Sequence, residues 1–122
     1  MIRFSVMMGG LAPLVAAVAP AAAEDGAALF VKNCQTCHIV AKEGGVRAGP
    51  PLRGIVGRKA GSIEGFNYSP GLKASGILWK PEALDQWLTF PRKMVRGTFM
   101  LYRQNNPEIR KAIIDYLATQ KD

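Results

Sequence analysis

Three segments of this chain repeat apolar residues at helical spacing, and a long glycine-rich stretch separates the first from the other two. The first segment runs from about Asp25 to Lys32, with Glu24 and Asp25 at its start and Leu29 and Phe30 as its apolar residues. Acidic side chains there favour a helix N-terminus, where unpaired backbone N–H groups leave positive charge. The second opens near Lys80, uses Pro81 as a first-turn residue and spaces Leu84, Trp87 and Leu88 at i, i+3, i+4 until Pro91 stops it. The third opens at Asn106-Pro107-Glu108, which supplies a cap, a first-turn proline and an acid. Ile109, Ala112, Ile113, Tyr116 and Leu117 then form a single-faced stripe.

Between these segments, residues 42–78 hold Gly44, Gly45, Gly49, Gly54, Gly57, Gly61, Gly65, Gly71 and Gly76, with Pro50, Pro51 and Pro70. Glycine at that density predicts loops and tight turns rather than sheet. So long an irregular stretch is unusual in an ordinary domain unless it wraps something that supplies its packing surface. The pattern therefore predicts an all-α fold of three main helices, with Gly/Pro-rich loops around a rigid partner.

Residues 1–23 form a separate unit. Arg3 gives a positive start, Phe4 to Val18 is apolar, and Ala21-Ala22-Ala23 offers a small-residue cleavage step. This is the pattern of an export signal peptide. An uncleaved membrane anchor is the alternative, disfavoured by Pro13, Pro20 and the alanine-rich end. Removing 23 residues from 122 leaves 99, one domain over residues 24–122. Arg3 is the only charge removed, so 15 basic and 9 acidic residues remain. A domain of this size buries a limited core and often needs a staple.

That staple is written in Cys34-Gln35-Thr36-Cys37-His38, which holds both cysteines and the only histidine of the chain. Two thiols three positions apart can each add to a vinyl group of haem, and the adjoining imidazole can then bind the iron. Three other readings compete. A redox disulfide would want a thioredoxin-like βαβ pattern, which is missing. A zinc site would have only carboxylates left for its fourth ligand. A structural disulfide across so short a loop would stabilise little. Covalent haem c, one group held through Cys34 and Cys37, is the reading the residues favour. Without that group the chain is expected to be largely unfolded.

With His38 as proximal ligand, no second imidazole is available. Met94 and Met100 are the two methionines beyond the leader, and either sulfur could complete the coordination. Methionine is also a common filler of apolar cores, so one of the two is core. Spacing alone does not choose.

The residues resemble the class I c-type cytochromes, notably mitochondrial cytochrome c and bacterial cytochrome c2. The likeness rests on Gly26, Leu29-Phe30, Gly49-Pro50-x-Leu52, Gly54-Ile55-x-Gly57-Arg58-Lys59-x-Gly61, Gly65-Phe66-x-Tyr68, Gly76-Ile77-x-Trp79 and Gly97-Thr98-Phe99-Met100. It spans nearly all of residues 24–122 in order. The resemblance implies the small cytochrome c fold, with Met100 as distal ligand and Met94 as core. It implies that Pro50 accepts the second ring proton of His38, and that Arg58, Tyr68 and Trp79 hold a buried haem propionate. Thr98 becomes a further polar contact on that side. Gly26 with Phe30, against Ile113 and Tyr116, matches the crossing of the first and last helices.

The sequence also departs from the family pattern. Trp87 stands where most relatives have a tyrosine whose hydroxyl reaches the distal sulfur, and Leu72 lies near a common asparagine. Arg96 replaces a common proline, and Tyr102 a common phenylalanine. These changes predict a drier pocket and the loss of a bond donated to the sulfur, with opposing effects on the reduction potential.

Basic residues do not interleave with aromatic ones as a nucleic-acid surface would require. Lys32, Lys42 and Arg47 instead flank the attachment loop, while Arg92, Lys93, Arg96 and Arg103 bracket Met100. A basic ring at an exposed haem edge would steer an acidic partner there. The resemblance therefore implies a monomeric, exported one-electron carrier of the periplasm. Its expected partners are acidic faces of membrane redox complexes, a bc1-type donor and a cytochrome oxidase or reaction-centre acceptor. It is expected not to be an enzyme. The competing function is a haem enzyme or small-ligand binder with a labile distal site, disfavoured because no spare histidine exists for distal acid–base work.

Overall fold

The computed structural model describes residues 5–16 and 25–122, and five helices occur among them. They are α1 (Gly26–Asn33), α2 (Pro70–Ala74), α3 (Pro81–Thr89), α4 (Pro91–Met94) and α5 (Pro107–Thr119). No strand forms among the described residues, only an isolated antiparallel bridge between Lys59 and Leu78. The predicted all-α class holds. Arg3 and the Ala21-Ala22-Ala23 step lie outside the described residues. No helix among those described is long and apolar enough to cross a membrane.

Each main helix starts where its sequence signal lies. The Asp25 carboxylate accepts from the Ala28 N–H at 2.9 Å, and the Asn106 side-chain oxygen Oδ1 accepts from the N–H groups of Glu108 and Ile109. Both caps satisfy donors that a helix start leaves unpaired. Pro81 and Pro107 occupy the first turn of α3 and α5, where a missing N–H costs nothing.

Packing follows from the apolar stripes. α5 packs on both α1 and α3, burying Ile113, Ile114 and Leu117. Ile114 lies off the predicted stripe; a helix with two neighbours must bury a wider sector than one stripe covers. At the α1–α5 crossing, a Cβ on Gly26 would lie 2.2 Å from the Ala112 carbonyl oxygen. Only glycine permits that approach, and it sets the Phe30 and Tyr116 rings 5.7 Å apart.

Two short helices extend the prediction. Pro91 does end α3, but it also opens α4 and is fully buried there. Phe90 joins the two in an extended conformation, as the residue before a proline prefers. Within the glycine-rich stretch, Ser69 accepts from the Leu72 N–H and Pro70 starts α2. Elsewhere that stretch turns at glycines, which supply every positive-φ position among the described residues.

Candidate functional site

α1 delivers the attachment motif directly. The N–H groups of Cys34 and Gln35 both reach the Phe30 carbonyl, and those of Cys37 and His38 both reach the Cys34 carbonyl. The helix thus rolls into tight turns that present two thiols and an imidazole. Both sulfurs are free thiols, Cys34 buried and Cys37 exposed. Burial, and secondarily the charge of Cys37, pushes the Cys34 thiol up to about 11.

Two backbone bonds bring the next loop against this turn: Gly49 N–H to the Cys37 carbonyl and Leu52 N–H to the Ile39 carbonyl, each 2.8 Å. They set the Pro50 carbonyl oxygen 2.8 Å from His38 Nδ1. A carbonyl only accepts, so this bond places the ring proton on Nδ1 and leaves the Nε2 lone pair free for a metal. Burial lowers the pKa of His38, countered in part by that same bond, so the neutral imidazole is favoured. A Cβ on Gly49 would lie 2.3 Å from His38 Cε1, so this glycine also fixes the ring plane.

A second set of backbone bonds joins residues 57–60 to 77–79. Gly57 donates to the Trp79 carbonyl, Trp79 to that of Arg58, and Ala60 to that of Ile77. Arg58 and Trp79 therefore occupy one wall. The Arg58 guanidinium donates to the carbonyls of Pro51 and Arg53 and pairs with no carboxylate among the described residues. Burial lowers its pKa, partly offset by Tyr68. The Tyr68 hydroxyl accepts from the Ile63 N–H at 3.2 Å.

All nine residues singled out from the sequence, Cys34, Cys37, His38, Pro50, Arg58, Tyr68, Trp79, Thr98 and Met100, line a single cavity of about 410 Å³. That size lies in the range of sites for drug-sized or cofactor-sized ligands, roughly 300–1,000 Å³. Leu84, Leu88, Ile113 and Leu117 complete an apolar interior. Met94 packs against the core and takes no part in the cavity wall. Thr98 is buried. Among the described residues no group of three or more His, Cys, Asp or Glu is placed to hold a metal ion. The donor set fits haem: two thiols beside an oriented imidazole, a thioether in the same cavity, apolar walls, and a cation without a carboxylate partner.

Two features escaped the sequence reading. Ser69, only 2% exposed, lines the cavity as well as capping α2; its signal was the Ser-Pro step that opens a helix. The second is a correction. Trp87 was expected to remove a bond donated to the distal sulfur, yet its indole N–H lies 3.2 Å from Met100 Sδ and donates to it. Indole is itself a donor, and a buried one seeks a partner.

Around the cavity mouth Phe99 and Leu101 are exposed. Lys32, Lys42, Arg47, Arg92, Lys93 and Arg96 are also exposed. Arg103, likewise exposed, lays its guanidinium 4.2 Å over the Phe90 ring.

Fold and site together define a small all-α haem protein. Comparison with known proteins narrows the class: the family model Cytochrome c matches residues 23–121. The chain is 43% identical over 98 residues to cytochrome c2 of Rhodopila globiformis, covering 80% of this chain and 92% of that protein. It is 42% identical over 90 residues to cytochrome c2 of Rhodomicrobium vannielii, covering 73% and 72%. With cytochrome c of Gibberella zeae it shares 44% over 77 residues, covering 63% and 73%. The chain belongs to the cytochrome c family. It is accordingly an electron-carrier haem c protein, with Cys34 and Cys37 spaced for covalent attachment.

Proposed function

We propose that this protein is an exported, soluble one-electron carrier and not an enzyme, with a six-coordinate haem held axially by His38 and Met100. The observation that carries the reading is that both side chains face one cavity and each is gripped by a further group, His38 by Pro50 and Met100 by Trp87. With both donors on the iron, no position would be left there for a substrate.

Haem, when bound, supplies an iron that alternates between ferrous and ferric. The rest is the work of the chain. Cys34 and Cys37 would fasten the group by two thioethers. His38 would donate through Nε2, its basicity raised by the bond to Pro50. The Met100 thioether would favour the ferrous state. Arg58, Tyr68 and Trp79 would hold a propionate, and Thr98 would add a polar contact beside it; a buried carboxylate is stable only when paired and hydrogen-bonded. The apolar walls would exclude water, so that little solvent reorganises as the charge changes.

The exposed basic residues support docking to acidic faces of membrane redox complexes, with a bc1-type donor and an oxidase or reaction centre as acceptor. Such encounters use small, weak interfaces and exchange rapidly. The apolar leader with its alanine step supports export to the periplasm, with cleavage near Ala23.

The test is the ferric spectrum of the purified haem-loaded protein. A near-red sulfur-to-iron band is expected, abolished in Met100→Ala and retained in Met94→Ala. A high-spin ferric spectrum with rapid cyanide binding in the unmutated protein would overturn the reading.

A further inference from the structure

We propose that Trp87 is a positioning residue for the distal ligand: its indole N–H holds the Met100 sulfur and biases the iron toward the ferrous state. This rests on the reading of Met100 as the axial ligand.

The geometry is built from the sequence. α3 starts at Pro81 and turns Leu84, Trp87 and Leu88 inward. Trp87 is 6% exposed and lies edge-on to Trp79, with ring centroids 5.2 Å apart and planes at 64°. That contact fixes the rotation of the indole and aims Nε1 at Met100 Sδ, 3.2 Å away. Met100 itself lies outside any helix, between α4 and α5. A methionine there has three rotatable side-chain bonds and little to hold its sulfur in one place. An N–H on a rigid, buried ring supplies that hold.

The electronic consequence follows from charge. A donor bound to a thioether sulfur draws density away from it. The sulfur then donates less to iron, and electron-poor ferric iron loses more by this than ferrous iron does. The bond therefore favours the reduced protein. Indole also differs from the tyrosine usual at this position. Phenol ionises at a pKa of about 10 and can turn from donor to acceptor, whereas indole N–H only donates. Its bond to sulfur should persist through alkaline pH.

The experiment compares the intact haem-loaded protein with Trp87→Phe and Trp87→Tyr by redox titration and by the near-red band. Trp87→Phe keeps an apolar ring and loses the donor. It should keep the band at a shifted energy and move the ferrous-to-ferric ratio at fixed potential toward ferric. The bond is worth unequal amounts in the two oxidation states, and since the difference cannot exceed the bond itself the ratio should change by a factor of roughly two to ten. Trp87→Tyr, with a hydroxyl to donate, should recover part of the change. Equal shifts in both variants, or none in Trp87→Phe, would show packing alone and overturn the proposal.

A measurement on the unmutated protein guards against a variant that fails to fold. The Trp87 indole proton should resist solvent exchange while Met100 is bound and exchange faster once imidazole displaces it. An exchange rate indifferent to that displacement overturns the proposal. Absence of the band in the unmutated ferric protein would instead overturn the ligation by Met100 on which it stands.

Discussion

At the scale of single residues, the site depends on contacts with no slack. The space that a methyl group on Gly49 would need is filled by the His38 ring, with 2.3 Å between Cβ and Cε1. Gly49→Ala should tilt the imidazole off the Pro50 carbonyl and cost about 1–3 kcal/mol, as overpacking does. A lower denaturation midpoint together with a displaced near-red band checks it; the unmutated spectrum and midpoint would contradict it. The attachment residues were readable because their chemistry needs scarce residue types at one local spacing. The Pro50–His38 bond was not readable from the residues alone, since it spans 12 positions and depends on how a loop lies against a turn. Resemblance supplied that pairing, and the fold places the two atoms within reach. Trp87 shows the opposite failure. It was read as apolar bulk because it replaced a hydroxyl, and its own donor was overlooked.

At the scale of elements, α1, α3 and α5 were legible because caps, first-turn prolines and periodic apolar residues agreed. α2 and α4 were not, since runs of 5 and 4 residues are too short to show a period. What makes them helical is local capping and their tertiary neighbours. Two substitutions test how the elements are held. Asn106→Ala should remove the cap of α5 and cost about 1 kcal/mol, while Asn106→Asp should be nearly neutral; thermal melts followed by circular dichroism compare them. Gly26→Ala should cost more, because the clash is with the Ala112 carbonyl oxygen, part of the α5 backbone, rather than with a side chain that can move. The melt should also show whether α1 and α5 still unfold together.

At the scale of the whole molecule, the core and the cavity are continuous. Cys34, Trp79, Trp87, Leu88, Ile113 and Leu117 belong to both. The glycine-rich stretch was legible as a wrapper, since loops without periodic apolar faces need a surface from elsewhere. Chain that never acquires haem should therefore show little helical circular dichroism and no cooperative melt; a cooperative transition in that state would mean that the polypeptide core suffices. The charge pattern gives a second expectation. The chain carries a formal net charge of +7, so association with an acidic redox complex should slow as ionic strength rises past the roughly 0.1 M at which the screening length falls to about 10 Å. Association rates that stay flat would rule out electrostatic steering. Most direct of all is X-ray absorption at the iron edge of the ferric protein. A single sulfur scatterer beside a shell of nitrogens is predicted, the sulfur lost in Met100→Ala and kept in Met94→Ala. An iron with light atoms only, or with an open position, would contradict axial capture by His38 and Met100.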